Sequence, residues 1–550
     1  MSVQPVVGLG VSTYLSRVLK NSEYQPIRPV SPRNSPAEAD SDGWVTRRAL
    51  KSSLSSEGDA DSSILRKKPN AQVEPEFSEL KSPKRIAPHG SPDETIPTKF
   101  GGNTAASVRA KPQTSYLNRL APLKRGHGLT YAALFLFTVV LYARPAEFYP
   151  SPLTASIAFI IGVITLAIFV PSQLSIDGTL TARPREVNLI LLFLLTGFLS
   201  IPLAINPGQA WLTFSDTFIR CIIIFVVMVN AVRTESRLKG LLFLAIVASL
   251  WLSVGAINDY RLGLTTIEGY RVGGRGSGIF GNSNDMALFL VTILPIAIAL
   301  IFSTRRVLAK VFYAVSAFLM MAAIMVTYSR GGFIGALVCL GFLGWRLGNR
   351  HKLLVGILAI IFGIVALALS PHNYALRLLS IFVPSLDPVG SADARREELI
   401  RSLNVALHHP LLGIGMGNYA SDMSYRGLVT HNAYTQVAAE MGMTALVCYT
   451  MFIVTPLKRL GQIARQTFET RTSSRYYYLA VGLQASLLAY MVGSFFASVA
   501  YLWYVYYLVA YAVCLRRTYE AETGIILTPD KQLRKQETSM HTEPISEGAG

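Results

Sequence analysis

From Leu129 onward, apolar residues gather into long runs separated by short polar connections. Twelve runs stand out, at about 128–143, 152–170, 187–205, 214–232, 239–257, 284–302, 307–328, 332–347, 353–370, 431–455, 476–495 and 497–515. Several fall below the ~20 residues of an upright spanning helix, and the last two share a short connection. The pattern predicts an all-α polytopic membrane protein with about 12 transmembrane helices over residues 127–516. A long connection, 371–430, joins the ninth and tenth runs. Upstream the pattern is reversed. Stretches such as "RPVSPRNSPAEADSDG" and "ELKSPKRIAPHGSPDE" hold too few apolar residues to bury a core, so residues 1–126 are expected to be a disordered tail. The first long run starts too late for a cleaved signal peptide, and it is expected to serve as an uncleaved insertion signal.

Charge orients the runs. With the N-terminus inside, the inner connections are "TARPRE", "VRTESRLK", "STRR", "WRLGNRHK", "PLKRLGQIARQTFETRTSSR" and the tail that begins "RRTYE". All are basic, as cytoplasmic loops are, while the outer connection "NPGQAW" carries no charge. Both termini are therefore expected in the cytoplasm, including a C-terminal tail at 517–550. Composition agrees. The chain is 51% hydrophobic and 15% charged, against roughly a quarter charged in soluble domains. The net charge of +18 does not indicate a nucleic-acid partner, because most Lys and Arg flank apolar runs and face the lipid bilayer's inner surface. Cys221, Cys339, Cys448 and Cys514 lie in or at the ends of apolar runs without CxxC or metal-ligand spacing. They read as small buried side chains, and no metal or cofactor is expected.

Three outer segments break the charge rule. Residues 258–283 contain Arg261, Arg271 and Arg275, the tight turn "YSRGG" contains Arg330, and 371–430 contains Arg377, Arg395, Arg396, Arg401 and Arg426. Three of the runs that follow start on the outer side: "GRGSGIFGNSNDMALF", "SRGGFIGALV" and "THNAYTQV". A helix N-terminus carries about half a positive charge and free N–H groups, so each of these starts favours an anion. Arginine or histidine beside all three suggests one extracytoplasmic pocket for a multiply charged anion such as a diphosphate. "GSGIFG" (Gly276–Gly281) matches G-x-G-x-x-G, but no strand precedes it and no βαβ unit follows, so it is not a dinucleotide fold. It reads equally as an anion-cradling loop or as a flexible loop closed by an Asn cap at Asn282 or Asn284. Each charged candidate also has a plainer role: Arg330 at the end of the seventh helix, Arg275 as a solvated loop charge, His431 as a structural histidine. Glu440 lies nine residues beyond His431, about half a turn out of phase, and reads as a hydrogen-bonded carboxyl facing the bundle interior.

The ordered set "RGSGIFGNSNDMA", "YSRGG", "HHPLLGIGMGNY" and "HNAYTQVAAEMG" resembles the bacterial O-antigen ligase/polymerase superfamily from about residue 129 to 515. The tail of 126 residues is outside that pattern. The resemblance implies transfer of a glycan from an undecaprenyl-diphosphate carrier to a hydroxyl on a glycan, lipid A core or protein acceptor. It places the chain in the bacterial inner membrane. By resemblance Arg275 and Arg330 bind the diphosphate and His431 is the essential loop histidine, with Asn432 beside it. The segment holding Gly413 and Gly415 would shape the long loop around the substrates. Arg395 or Arg396 stands where such proteins often have an arginine, but the aromatic residue that often follows is absent. Arg271, Asn282 and Asn284 complete the expected substrate-binding set. The chemistry fits: guanidinium groups stabilise charge growing on a diphosphate leaving group, and a neutral histidine accepts the acceptor's proton. One displacement at the anomeric carbon would invert its configuration. The competing reading is a transporter of a small anion or lipid-linked precursor, although transporters hold polar sites near the midplane in repeated halves, and no repeat is visible.

Overall fold

A computed structural model describes residues 126–264, 271–273, 280–347, 391–424, 427–471 and 475–527. The expected tail, the run at 353–370 and the candidate Arg275 lie outside these residues.

The principal elements are helices. They are α1 (Gly128–Ala143), α2 (Pro152–Asp177), α3 (Arg185–Ser200), α4 (Pro207–Ala231), α5 (Glu235–Arg261) and α6 (Ser283–Ser303), followed by α7 (Val307–Val326) and α8 (Arg330–Leu347). Then come α9 (Ser391–His408), α10 (Ala433–Gln466), α11 (Arg475–Gly493) and α12 (Trp503–Thr523). Among the described residues, nine helices are long and apolar enough to cross a membrane, and of the three remaining predicted runs, 353–370 lies outside the described residues. The other two, 187–205 and 497–515, fall short for physical reasons. α3 has 16 residues, about 24 Å at 1.5 Å per residue against a hydrocarbon core of about 30 Å. α12 overlaps the last predicted run but ends in the charged stretch Arg516–Glu522. α9 is amphipathic and belongs to the long connection rather than to the membrane set.

Local sequence explains where helices begin. Ser151 and Thr154 form a reciprocal capping box ahead of Pro152, and Gly178 closes α2 in the left-handed conformation. Thr234 caps α5 and Asn282 caps α6. α6, α11 and α12 are mostly buried and make the centre of the bundle. α2 lies at the periphery with Phe159, Ile160, Val163 and Ile164 exposed, the surface a lipid-facing helix needs.

Ion pairs gather at one set of helix ends. Arg516, at the end of α12, meets Glu186 at the start of α3 through two bonds of 2.7 and 3.0 Å. Arg233 pairs with Asp177, and Glu235 pairs with Lys239 at 2.6 Å and Arg475 at 2.8 Å. Following the chain from these ends puts the starts of α6, α8, α10 and α12 together on the opposite face.

α10 is broken. Gly442 has φ +85° and ψ 177°, a conformation essentially restricted to glycine. A break inside a membrane helix strands backbone groups, and these must find partners. Here the turn 410–418 supplies them. Ile414 N donates to Ala439 O (3.0 Å), Gly415 N donates to Glu440 O (2.9 Å), and Met443 N donates to Pro410 O (2.8 Å).

Candidate active site

The starts of α6 and α8 are tied together. Arg271 is buried, and its Nη2 donates to Asn284 Oδ1 at 2.9 Å while its Nε donates to Thr327 O at 3.0 Å. Ser329 Oγ donates to the same Asn284 oxygen at 3.0 Å and accepts from Gly332 N at 3.2 Å. Asn282, exposed, caps α6 by accepting from Asn284 N at 2.8 Å. Arg330 is the first residue of α8 and is buried. Just before it, Tyr328 sits at φ +52°, an uncommon state for a bulky residue.

The start of α10 reaches the same region through the 494–498 connection. A Cβ on Gly331 would come within 2.7 Å of Phe496, so the α8 start lies directly against that connection. Thr430 Oγ1 shares a 2.8 Å hydrogen bond with Ser498 Oγ and donates to Asn432 O at 2.9 Å. Asn432 Oδ1 caps α10 by accepting from Tyr434 N and Thr435 N at 2.9 and 3.1 Å. His431 therefore sits immediately outside a capped helix start, half-buried, at φ +51°. Strain of this kind persists where the surroundings over-determine it, and it clusters at functional sites. Burial pushes the His431 imidazole down to about 4, helped by the positive charge of Arg395. Burial is the larger of the two causes.

α9 brings Arg395 to this place. Arg395 is half-buried and acts on His431, whereas its neighbour Arg396 points to solvent. The helix is anchored by Glu398, a buried carboxylate. Tyr419 Oη donates to Glu398 Oε2 at 2.7 Å, and Ser424 Oγ donates to Oε1 at 3.0 Å. Burial, reinforced by this carboxylate, raises the Tyr419 hydroxyl above its usual range, so it stays a donor. Gly413 packs on the backbone of α10, and Gly415 packs on Ala204. A Cβ on Gly413 would meet Glu440 C at 2.3 Å, and one on Gly415 would meet Ala204 Cβ at 2.2 Å. Glu440 is buried, with Oε1 accepting from Tyr419 N at 3.3 Å.

Sequence reasoning did not single out Ser329, Thr430, Ser498, Glu398 or Tyr419. Only Ser329 carried a local signal, a serine three residues ahead of a helix backbone N–H. The other four act through partners distant in sequence. A cavity of about 230 Å³ lies alongside, lined among others by Arg144, Glu147, Asp259, Gly273 and Phe280. Among the described residues, no group of three His, Cys, Asp or Glu side chains could hold a metal ion.

These features define a polytopic helical membrane protein with a cationic site at one set of helix ends. Residues 315–450 match the O-antigen ligase family model. The matched segment contains Arg330, Arg395 and His431, while Arg271 and Asn284 lie before it. The match supports the O-antigen ligase superfamily and an O-antigen ligase or polymerase type of membrane glycosyltransferase acting on lipid-linked glycans. No curated protein matches the chain.

Proposed function

We propose that the protein transfers a glycan from an undecaprenyl-diphosphate carrier to an acceptor hydroxyl at the extracytoplasmic face of a bacterial inner membrane. The observation that carries this reading is His431: strained, half-buried and neutral at a helix start, with Arg395 beside it. In the reading, the acceptor hydroxyl gives its proton to His431 as its oxygen attacks the anomeric carbon. The bond from that carbon to the diphosphate breaks, and the configuration inverts. Arg330, at the N-terminal end of α8, stabilises the negative charge that grows on the leaving group, with Arg275 as its expected second partner. Arg271 and Asn284 hold the α6 and α8 starts in register. An imidazole at about 4 is a weak base in the free protein, but the arriving diphosphate brings negative charge that raises it toward the useful range. No step in the proposal calls for a metal ion. The basic connections on the ion-paired face support a cytoplasmic side for both termini.

The test is reconstitution. Purified protein in liposomes, given a lipid-diphosphate glycan and an acceptor, should form a covalent product. His431→Ala and Arg330→Ala should lose it at normal protein levels. Wild-type-like transfer by both variants overturns the mechanism, and vectorial movement without a covalent product assigns a transporter instead.

A further inference from the structure

Glu440 is a carboxylic acid deep in a membrane helix, and the transfer chemistry above does not use it. Its backbone and side chain face the long connection. Glu440 O accepts from Gly415 N at 2.9 Å, and Glu440 Oε1 accepts from Tyr419 N at 3.3 Å. The carboxyl also sits beside Tyr501 and Gln436. From Tyr419 the contacts continue: its hydroxyl donates to Glu398 Oε2 at 2.7 Å and to Glu398 O at 3.0 Å. Glu398 stands three residues, about one turn, from Arg395 on α9. The charge of Arg395 acts on His431, and Asn432, the residue after His431, caps the helix that carries Glu440. The contacts close a ring: α10, the 410–419 turn, α9 and back to the start of α10.

We propose that Glu440 is a positioning residue that keeps Arg395 in place near His431 by anchoring the 413–419 turn, and through Tyr419 and Glu398 the helix α9, to α10. The proposal rests on the glycan-transfer reading with His431 as base. Among the described residues, Arg395 is the charged group that acts on His431. If the ring opens, that positive charge withdraws and the imidazole moves up, while burial still holds it below its ordinary 6.5.

The experiment is the pH profile of kcat/KM for glycan transfer by the reconstituted protein. Glu440→Ala removes the acceptor for Tyr419 N, so the acid limb should move to higher pH and kcat/KM at neutral pH should fall about tenfold, the cost of misplacing one catalytic group slightly. Glu440→Gln keeps an acceptor oxygen and should restore both. In an Arg395→Gln background, Glu440→Ala should move the acid limb no further, because the charge it displaces is already gone. Tyr419→Phe cuts the ring at its other side and should move the limb the same way, which decides the question if Glu440→Ala fails to fold. A residue with only a packing role would lower the yield of folded protein and leave the limb in place. An unmoved acid limb in Tyr419→Phe and Glu440→Ala overturns the positioning role, even if His431→Ala is inactive. An active His431→Ala overturns the transfer reading itself.

Discussion

Replacing Gly442 with alanine tests how α10 and the long connection are joined. Gly442 lies at φ +85°, where an L-residue is strained by about 1–3 kcal/mol. A Cβ there would meet Leu411 O at 2.3 Å, Leu411 C at 2.5 Å and Leu412 N at 2.8 Å. These are backbone atoms, so the turn itself must withdraw. Withdrawal endangers three hydrogen bonds across the break: Ile414 N to Ala439 O, Gly415 N to Glu440 O and Met443 N to Pro410 O. At about 1 kcal/mol each, they add about 3 kcal/mol to the strain. The expected loss is about 4–6 kcal/mol, a large share of the ~5–15 kcal/mol that holds a typical protein together. The assay is thermal unfolding of the purified protein in nanodiscs. Gly341→Ala in α8 is the control, since a Cβ there meets nothing within 4 Å and alanine favours helix. Gly413→Ala strikes the same junction from the turn side, so the double variant should cost little more than the worse single one. An unfolding temperature for Gly442→Ala equal to that of Gly341→Ala would refute the plug at the break.

Further outcomes follow from the site and the ion-paired face. In the wild-type protein kcat/KM should hold down to about pH 5 and fall as pH drops through about 4, where free His431 gains its proton. Stability has a matching sign: the native imidazole lies below its unfolded value, so as pH falls the unfolded chain binds the proton first, and stability is lost from about 6.5 to about 4. Arg330→Lys keeps the charge but loses the planar fork, and transfer measured in liposomes should fall nearly as far as in Arg330→Ala. Glu186→Gln strands the buried Arg516 charge and should cost about 3–5 kcal/mol in nanodisc unfolding, whereas Glu186→Leu combined with Arg516→Met should cost far less.

The membrane helices were legible because lipid demands long apolar runs, and each predicted run within the described residues overlaps a helix. The break in α10 was not, because "AAEMGMTAL" reads as one apolar run with a single glycine, a weak signal alone. Its cause is the turn 410–418, whose bonds to α10 span about 25 to 33 residues, a pairing that periodicity does not register. The three helix starts were legible as anion-favouring ends, while their meeting depends on Asn284, Ser329 and the Thr430–Ser498 bond, which no local pattern joins. Arg395 and Arg396 were equivalent in sequence. They separate because neighbours on a helix point about 100° apart, one toward His431 and one toward solvent. Glu440, which lacked a partner in the sequence, finds one in the Tyr419 backbone.

The plugged break in α10 also orders the protein's assembly. The turn 410–418 and the two halves of α10 are each other's hydrogen-bond partners, so neither is complete without the other. Synthesis delivers the turn first, and its glycines wait for a helix that the ribosome has not yet made. With α10 broken at Gly442, the carbonyls of Ala439 and Glu440 are satisfied by Ile414 N and Gly415 N of that turn. The broken helix and the long connection therefore mature as one unit: the order in which the chain is made sets the turn in place first, and the break in α10 closes onto it afterwards.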